Sequence, residues 1–192
     1  MEMILASKSK RRKSILQNLN LNFKVKGSNI KEKISKKLTP KENVMSIAFQ
    51  KGIDVAKDNK DCLIIAADTV VVTKDNQILG KPKDDSNALK VLKKLNDTYH
   101  YVYTGYCLIN YNKNIKIIDY QKTKVFFNNN DISELNKYIK KYNPLDKAGG
   151  YGIQGQGALL VKNIDGDYYN IVGLPINKIN MQLKKYFKIS MI

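Results

Sequence analysis

Leu63-Ile64-Ile65-Ala66-Ala67-Asp68-Thr69-Val70-Val71-Val72 constrains this chain more than any other stretch. It is a near-continuous apolar run rather than an alternating one, which predicts a strand buried on both faces. One carboxylate, Asp68, stands in its middle with Thr69 beside it. Burying an ionised carboxylate is costly unless something compensates. Two readings fit. Asp68 caps a turn where the strand doubles back into a second strand, or it is the acid of a site.

The segments around that run alternate between strand and helix patterns. Met3-Ile4-Leu5-Ala6 is a short apolar strand. Ser7-Lys8-Ser9-Lys10-Arg11-Arg12 leads from it into a helix carrying Ile15, Leu16 and Leu19. Orphan N–H groups and the dipole of a helix N-terminus favour an anion at such a place. Phe23 to Lys26 reads as a second strand, followed by a polar loop containing Glu32. Thr39-Pro40-Lys41-Glu42 is a helix start, with Thr as N-cap, Pro first and Glu third. Val44, Ile47, Ala48 and Val55 form the stripe of that helix, and Lys51 falls on it. A lysine so placed either snorkels outward or points into a cleft.

Beyond the central strand, Lys74 to Gln77 reads as a turn and Gly80-Lys81-Pro82 as a constrained loop. A helix then buries Ala88, Leu89, Leu92 and Leu95. His100 to Ile109 and Ile115 to Phe127 read as a long hairpin. Asp131 to Glu134 is a second capping box. Asp146 to Ala158 holds five of the chain's 11 glycines, a density that suits close backbone approach to a ligand. Leu159 to Ile164 and Tyr168 to Val172 flank Asp165-Gly166, which predicts a further hairpin. Gly173-Leu174-Pro175 opens the last helix. Interspersed strands and helices with at least two hairpins predict an α/β fold, a mixed twisted sheet with flanking helices, as one domain over residues 1–192.

Composition narrows the function. No stretch approaches the roughly 20 apolar residues of a membrane span, and no apolar segment follows the basic N-terminus as a signal peptide would require. Cys62 and Cys107 are too few and too isolated for a disulfide framework or a zinc site, so a reducing, cytoplasmic setting is the expectation. The net charge of +17 raises nucleic acid as a partner. The basic residues are spread along the whole chain, however, which favours a solvated lysine surface. Of 34 basic residues only two are arginine, adjacent at Arg11-Arg12. In a lysine-rich chain that pair points to a need for planar, multi-donor guanidinium groups, as in phosphate recognition.

Taken together these motifs resemble the Maf family of nucleoside triphosphate pyrophosphatases. The resemblance rests on Leu5-Ala6-Ser7-Lys8-Ser9-Lys10-Arg11-Arg12, Glu32, Lys51, Ala67-Asp68-Thr69, Gly80-Lys81-Pro82 and His100 to Gly105. It continues through Leu145 to Gly155 and Gly173-Leu174-Pro175, in family order over nearly the whole chain. One departure is Lys10, where the family usually has proline. The resemblance implies two lobes around a cleft, like the inosine triphosphate pyrophosphatases (Ham1-like), usually as a homodimer. It implies hydrolysis of a nucleoside triphosphate to the monophosphate and pyrophosphate with a divalent cation, Mg²⁺ or Mn²⁺.

By the same resemblance Asp68 falls on the proton acceptor, and Arg11, Thr69 and Gln154 on positions tied to substrate choice. Ser7, Arg12, Glu32, Lys51 and Lys81 match further cleft positions, and Lys147 belongs to the glycine-rich motif. Glu32 and Asp68 are the expected metal ligands, since hard cations prefer carboxylate oxygens. Lys147-Ala148-Gly149-Gly150-Tyr151-Gly152-Ile153-Gln154-Gly155 looks like the dTTP/UTP branch. The pairing edge of uracil or thymine is acceptor–donor–acceptor, and the Gln154 amide carries both a donor and an acceptor to meet part of it. The alternatives are the sister branch acting on 7-methyl-GTP, CTP and UTP, action on other noncanonical nucleotides, and a basic nucleic-acid-binding protein.

Overall fold

The computed structural model describes all of Met1–Ile192. In chain order the elements are β1 (Met3–Leu5), α1 (Lys10–Asn18), β2 (Lys24–Val25), α2 (Pro40–Ala56), β3 (Leu63–Thr73) and β4 (Ile78–Leu79). They continue as α3 (Asp85–Leu95), β5 (Tyr99–Asn110), β6 (Ile115–Phe127), α4 (Ile132–Tyr142), β7 (Val161–Asp165), α5 (Tyr168–Val172) and α6 (Ile176–Gln182). The seven strands form one sheet in the order β2-β1-β3-β5-β6-β7, with β4 pairing to β3 off this path.

Pairing is mixed, as the sequence predicts. β1 lies parallel to β2 and to β3, with Ile4 opposite Lys24 on one side and Ile64 on the other. Parallel neighbours need a crossover connection; α1 supplies the one from β1 to β2. β4 is antiparallel to β3, and β7 to β6. In β3 every residue except Thr69 is buried. The strand runs unbroken through Asp68, so the reading in which Asp68 caps a turn is wrong.

The chain divides into two compact units built from interleaved segments, so no single cut separates them. The first comprises Met1–Asp68, Thr104–Gln121 and Gly173–Ile192. Its core sets Val55 and Ala56 of α2 against Ile4, Ala6, Ile64, Ala66, Cys107 and Ile109. Both capping-box bonds of α2 are present: Thr39 N donates to Glu42 Oε2 at 2.8 Å, and Glu42 N to Thr39 Oγ1 at 3.4 Å. Two glycines let α2 sit close to β5. A Cβ on Gly52 would lie 2.3 Å from Cys107 Sγ, and one on Gly105 would lie 2.4 Å from the Val44 carbonyl carbon and 2.5 Å from Met45 N. Backbone cannot step aside as a side-chain tip can. Gly105→Ala is therefore expected to destabilise the protein by about 3 kcal/mol, the upper end of overpacking costs, measured by urea unfolding. Activity should fall with it, because α2 carries Lys51.

The second unit comprises Thr69–Tyr103 and Lys122–Val172. Here α3 and α4 pack on each other. They bury Leu92, Leu95, Leu135 and Ile139 with Val71, Val102, Val125 and Phe127 of the sheet. The predicted hairpin around Asp165-Gly166 is not formed. Val161–Asp165 is an edge strand on β6, and Tyr168–Val172 is a helical turn. Buried Asn170 explains the difference. Its Nδ2 donates to Val102 O at 3.0 Å and to Thr123 Oγ1 at 2.9 Å. Asp167 also starts the turn by accepting from Tyr169 N at 2.7 Å. Asp-Gly turns the chain here, but those bonds coil the segment after it. No helix is long and apolar enough to cross a membrane.

Candidate active site

The arginine pair sits where β1 hands over to α1. Ser9 is the N-cap of α1 and accepts from Arg12 N at 3.4 Å. Ser7 Oγ accepts from Ser9 N and from Arg12 Nη1, each at 3.2 Å. Arg12 is buried, and its Nε donates to Gly173 O at 2.7 Å. One guanidinium thus ties the Ser7 loop to the Gly173-Leu174-Pro175 motif. Burial lowers the Arg12 pKa, while the charges of Asp68 and Glu32 oppose that and Arg11 adds to it. These four residues therefore share one electrostatic environment. Arg11 is half-buried.

Lys51 resolves its ambiguity inward. Its Nζ lies 2.7 Å from Asp68 Oδ1 and 2.7 Å from Glu32 Oε1. The Lys51 and Asp68 side chains are each 10% exposed, whereas Glu32 is 50% exposed. The inner pair is shielded, and the outer carboxylate faces solvent. A buried ion pair needs good geometry to offset its desolvation, and a second carboxylate on the same ammonium improves that balance. The first unit thereby gathers Ser7, Arg12, Glu32, Lys51 and Asp68 from four separate places in the chain.

Glu32 lies on an irregular segment that is tied at both ends. Asn29 N donates to Asp54 Oδ2 at 3.1 Å. At the other end Asn43 is 1% exposed. Its Oδ1 accepts from Ser35 N at 2.7 Å, and its Nδ2 reaches Ser35 O and Leu38 O, both at 3.0 Å. Sequence reasoning missed Asn43. The available signal was an amide in the first turn of α2 directly before the apolar Val44.

The remaining candidates belong to the second unit. Thr69 follows Asp68 in β3. Lys81 is exposed on the turn between β4 and α3, beside buried Pro82. Gly149 N donates to Gly80 O at 3.1 Å, so the Lys81 turn and the glycine-rich loop are bonded together. Lys147 pairs with Asp146. Gln154 is exposed, and with Ile153, Asn163 and Tyr168 it lines a shallow depression of about 620 Å³.

The family model described as Maf-like protein matches residues 2–186. The chain belongs to the Maf family. Among its curated relatives, a dTTP/UTP pyrophosphatase of Clostridioides difficile (strain 630) is 49% identical over 191 residues, spanning 100% of this chain and 98% of that one. A dTTP/UTP pyrophosphatase of Alkaliphilus oremlandii (strain OhILAs) is 44% identical over 192 residues, spanning 100% and 99%. Every candidate residue lies within those spans. Among solved structures the Staphylococcus aureus Ham1 protein matches with a TM-score of 0.50 at 16% identity, covering 67% of this chain and 73% of that one. That likeness concerns the fold, which is the mixed α/β, Ham1-like arrangement expected from the sequence.

For a Maf protein a divalent cation must be tested against the residues present. No group of three His, Cys, Asp or Glu converges on one point. Glu32 and Asp68 do converge, through oxygens within twice 2.7 Å of each other across Lys51 Nζ. Two carboxylates suit a hard cation such as Mg²⁺, which characteristically takes one or two protein carboxylates and fills its remaining positions with water and substrate phosphates. The donor set therefore fits such a cation.

Proposed function

We propose that this Maf protein hydrolyses dTTP and UTP to the nucleoside monophosphate and pyrophosphate, with residues 1–192 acting as one catalytic domain. The observation that carries the reading is the Glu32–Lys51–Asp68 cluster sharing its field with Arg11 and Arg12. The full-length likeness to relatives named dTTP/UTP pyrophosphatase supports it. Attack at the α-phosphorus requires that phosphate charge be offset, water be activated and the leaving pyrophosphate be stabilised. Arg11, Arg12, Lys51 and Lys81 supply positive charge. Asp68, fixed by Lys51, accepts the proton of the attacking water. Ser7 and Thr69 offer hydroxyl contacts, Lys147 a further cation, and Gln154 an amide to the pyrimidine edge. Glu32 and Asp68 would hold Mg²⁺ or Mn²⁺, which when bound offsets phosphate charge and makes a water more acidic.

The test is a panel of dTTP, UTP, CTP, 7-methyl-GTP and ITP scored for pyrophosphate release with Mg²⁺. The expected result is kcat/KM for dTTP and UTP at least tenfold above the rest, a step of about 1.4 kcal/mol in transition-state binding. A preference for 7-methyl-GTP or ITP would contradict the proposal.

A further inference from the structure

Gln154 is exposed, yet the chain on both sides of it is firmly held. Tyr151, three residues earlier, is 4% exposed. Its ring meets His100 edge-on at 5.3 Å and Phe127 at 4.8 Å between centroids. The Tyr151 hydroxyl lies 2.7 Å from His100 Nε2. Gly152 N donates to Tyr138 OH at 3.2 Å. On the far side, Gly157 approaches Gly152 so closely that a Cβ would stand 1.9 Å from the Gly152 oxygen. Upstream, Gly149 and Gly150 adopt φ of 71° and 69°, which favours glycine.

The chain's only histidine is fully buried in this anchor. Its Nδ1 is buried with no hydrogen-bond partner. The imidazole and the phenol therefore share a single hydrogen bond, whose donor is set by the imidazole tautomer. Burial pushes the imidazole pKa down to about 3 and raises that of the Tyr151 phenol. Both groups stay neutral across any working pH, so the bond is a constant tether and not a pH switch.

We propose that His100 is a positioning residue for base selection: its hydrogen bond to Tyr151 fixes the Tyr151–Gly157 loop and thereby places the Gln154 amide. This rests on the proposed function, in which Gln154 meets the pyrimidine. His100 itself is fully buried. It acts through Tyr151, and the closed Gly152–Gly157 approach carries that placement to Gln154.

The experiment compares His100→Phe, which keeps an aromatic ring and removes the bond, with His100→Gln, whose amide offers Tyr151 both a donor and an acceptor. Tyr151→Phe removes the bond from the other side and serves if His100→Phe does not fold. Amide hydrogen exchange over residues 152–157 is measured in the free protein, and kcat and KM are measured for UTP and CTP. Loss of one hydrogen bond should speed exchange and raise KM for UTP by about tenfold each, with kcat within twofold. The UTP preference over CTP should shrink, and His100→Gln should recover most of each effect. The double variant should be no worse than either single one, because the two share one bond. Unchanged exchange in His100→Phe would overturn the proposal. So would a lower melting temperature with unaltered KM and base preference. Should the wild-type protein hydrolyse neither nucleotide, the functional reading fails, and the exchange result still decides whether His100 holds the loop.

Discussion

Asp68→Asn is expected to lower pyrophosphate release by about a thousandfold, the scale of a lost general base, while the protein remains folded. The substitution preserves shape inside a fully formed strand. An asparagine oxygen can still accept from Lys51 Nζ, and Lys51 keeps its bond to Glu32. The stability loss should be about 2 kcal/mol, that of weakening a hydrogen bond to a charged group. Paired measurements of turnover and urea unfolding separate the two effects. Near-wild-type turnover in this variant would remove Asp68 from the chemistry.

Lys51→Met should be the more damaging change to stability. It leaves Asp68, with a side chain only 10% exposed, facing Glu32 with no cation between them. Breaking a buried pair from one side costs about 3–5 kcal/mol, and the remaining like charges add to the loss. Turnover should disappear. The same variant examines the cation assignment, because removing the ammonium leaves the two carboxylates as partners for Mg²⁺. Millimolar Mg²⁺ is expected to restore about 1–3 kcal/mol, as any ligand of the folded state would. An unfolding curve indifferent to Mg²⁺ would mean that Glu32 and Asp68 do not hold it.

Much of the fold is legible in the sequence because local physics decides it. The apolar run Leu63 to Val72 forms a buried strand, and Thr39–Glu42 and Asp131–Glu134 form the capping boxes their spacing predicts. The Asp165-Gly166 turn misled because its outcome depends on a distant partner. Asn170 bonds to Val102 and Thr123, 68 and 47 residues away, and that choice coils Tyr168–Val172. The candidate site shows the same division. Asp68 stands out as an acid within an apolar strand, and Arg11-Arg12 as the only arginines among 34 basic residues. The direction of Lys51 is not readable from helical periodicity, since a lysine on an apolar stripe fits either orientation. It is decided by two carboxylates that approach it from elsewhere in the chain. Asn43 shows in the sequence only as an amide ahead of an apolar stripe, and His100 only as the single histidine, and neither feature specifies its partner. Asn43 acts through bonds to the loop just before its helix, and His100 through a bond to Tyr151, 51 residues away.

The proposed reaction is attack of water on the α-phosphorus of a pyrimidine nucleoside triphosphate. Hydrolysing UTP in ¹⁸O-enriched water and locating the label identifies the phosphorus that is attacked. Attack at that phosphorus predicts one labelled oxygen in the nucleoside monophosphate and none in the pyrophosphate. Label in the pyrophosphate, or release of orthophosphate with the nucleoside diphosphate, would contradict it.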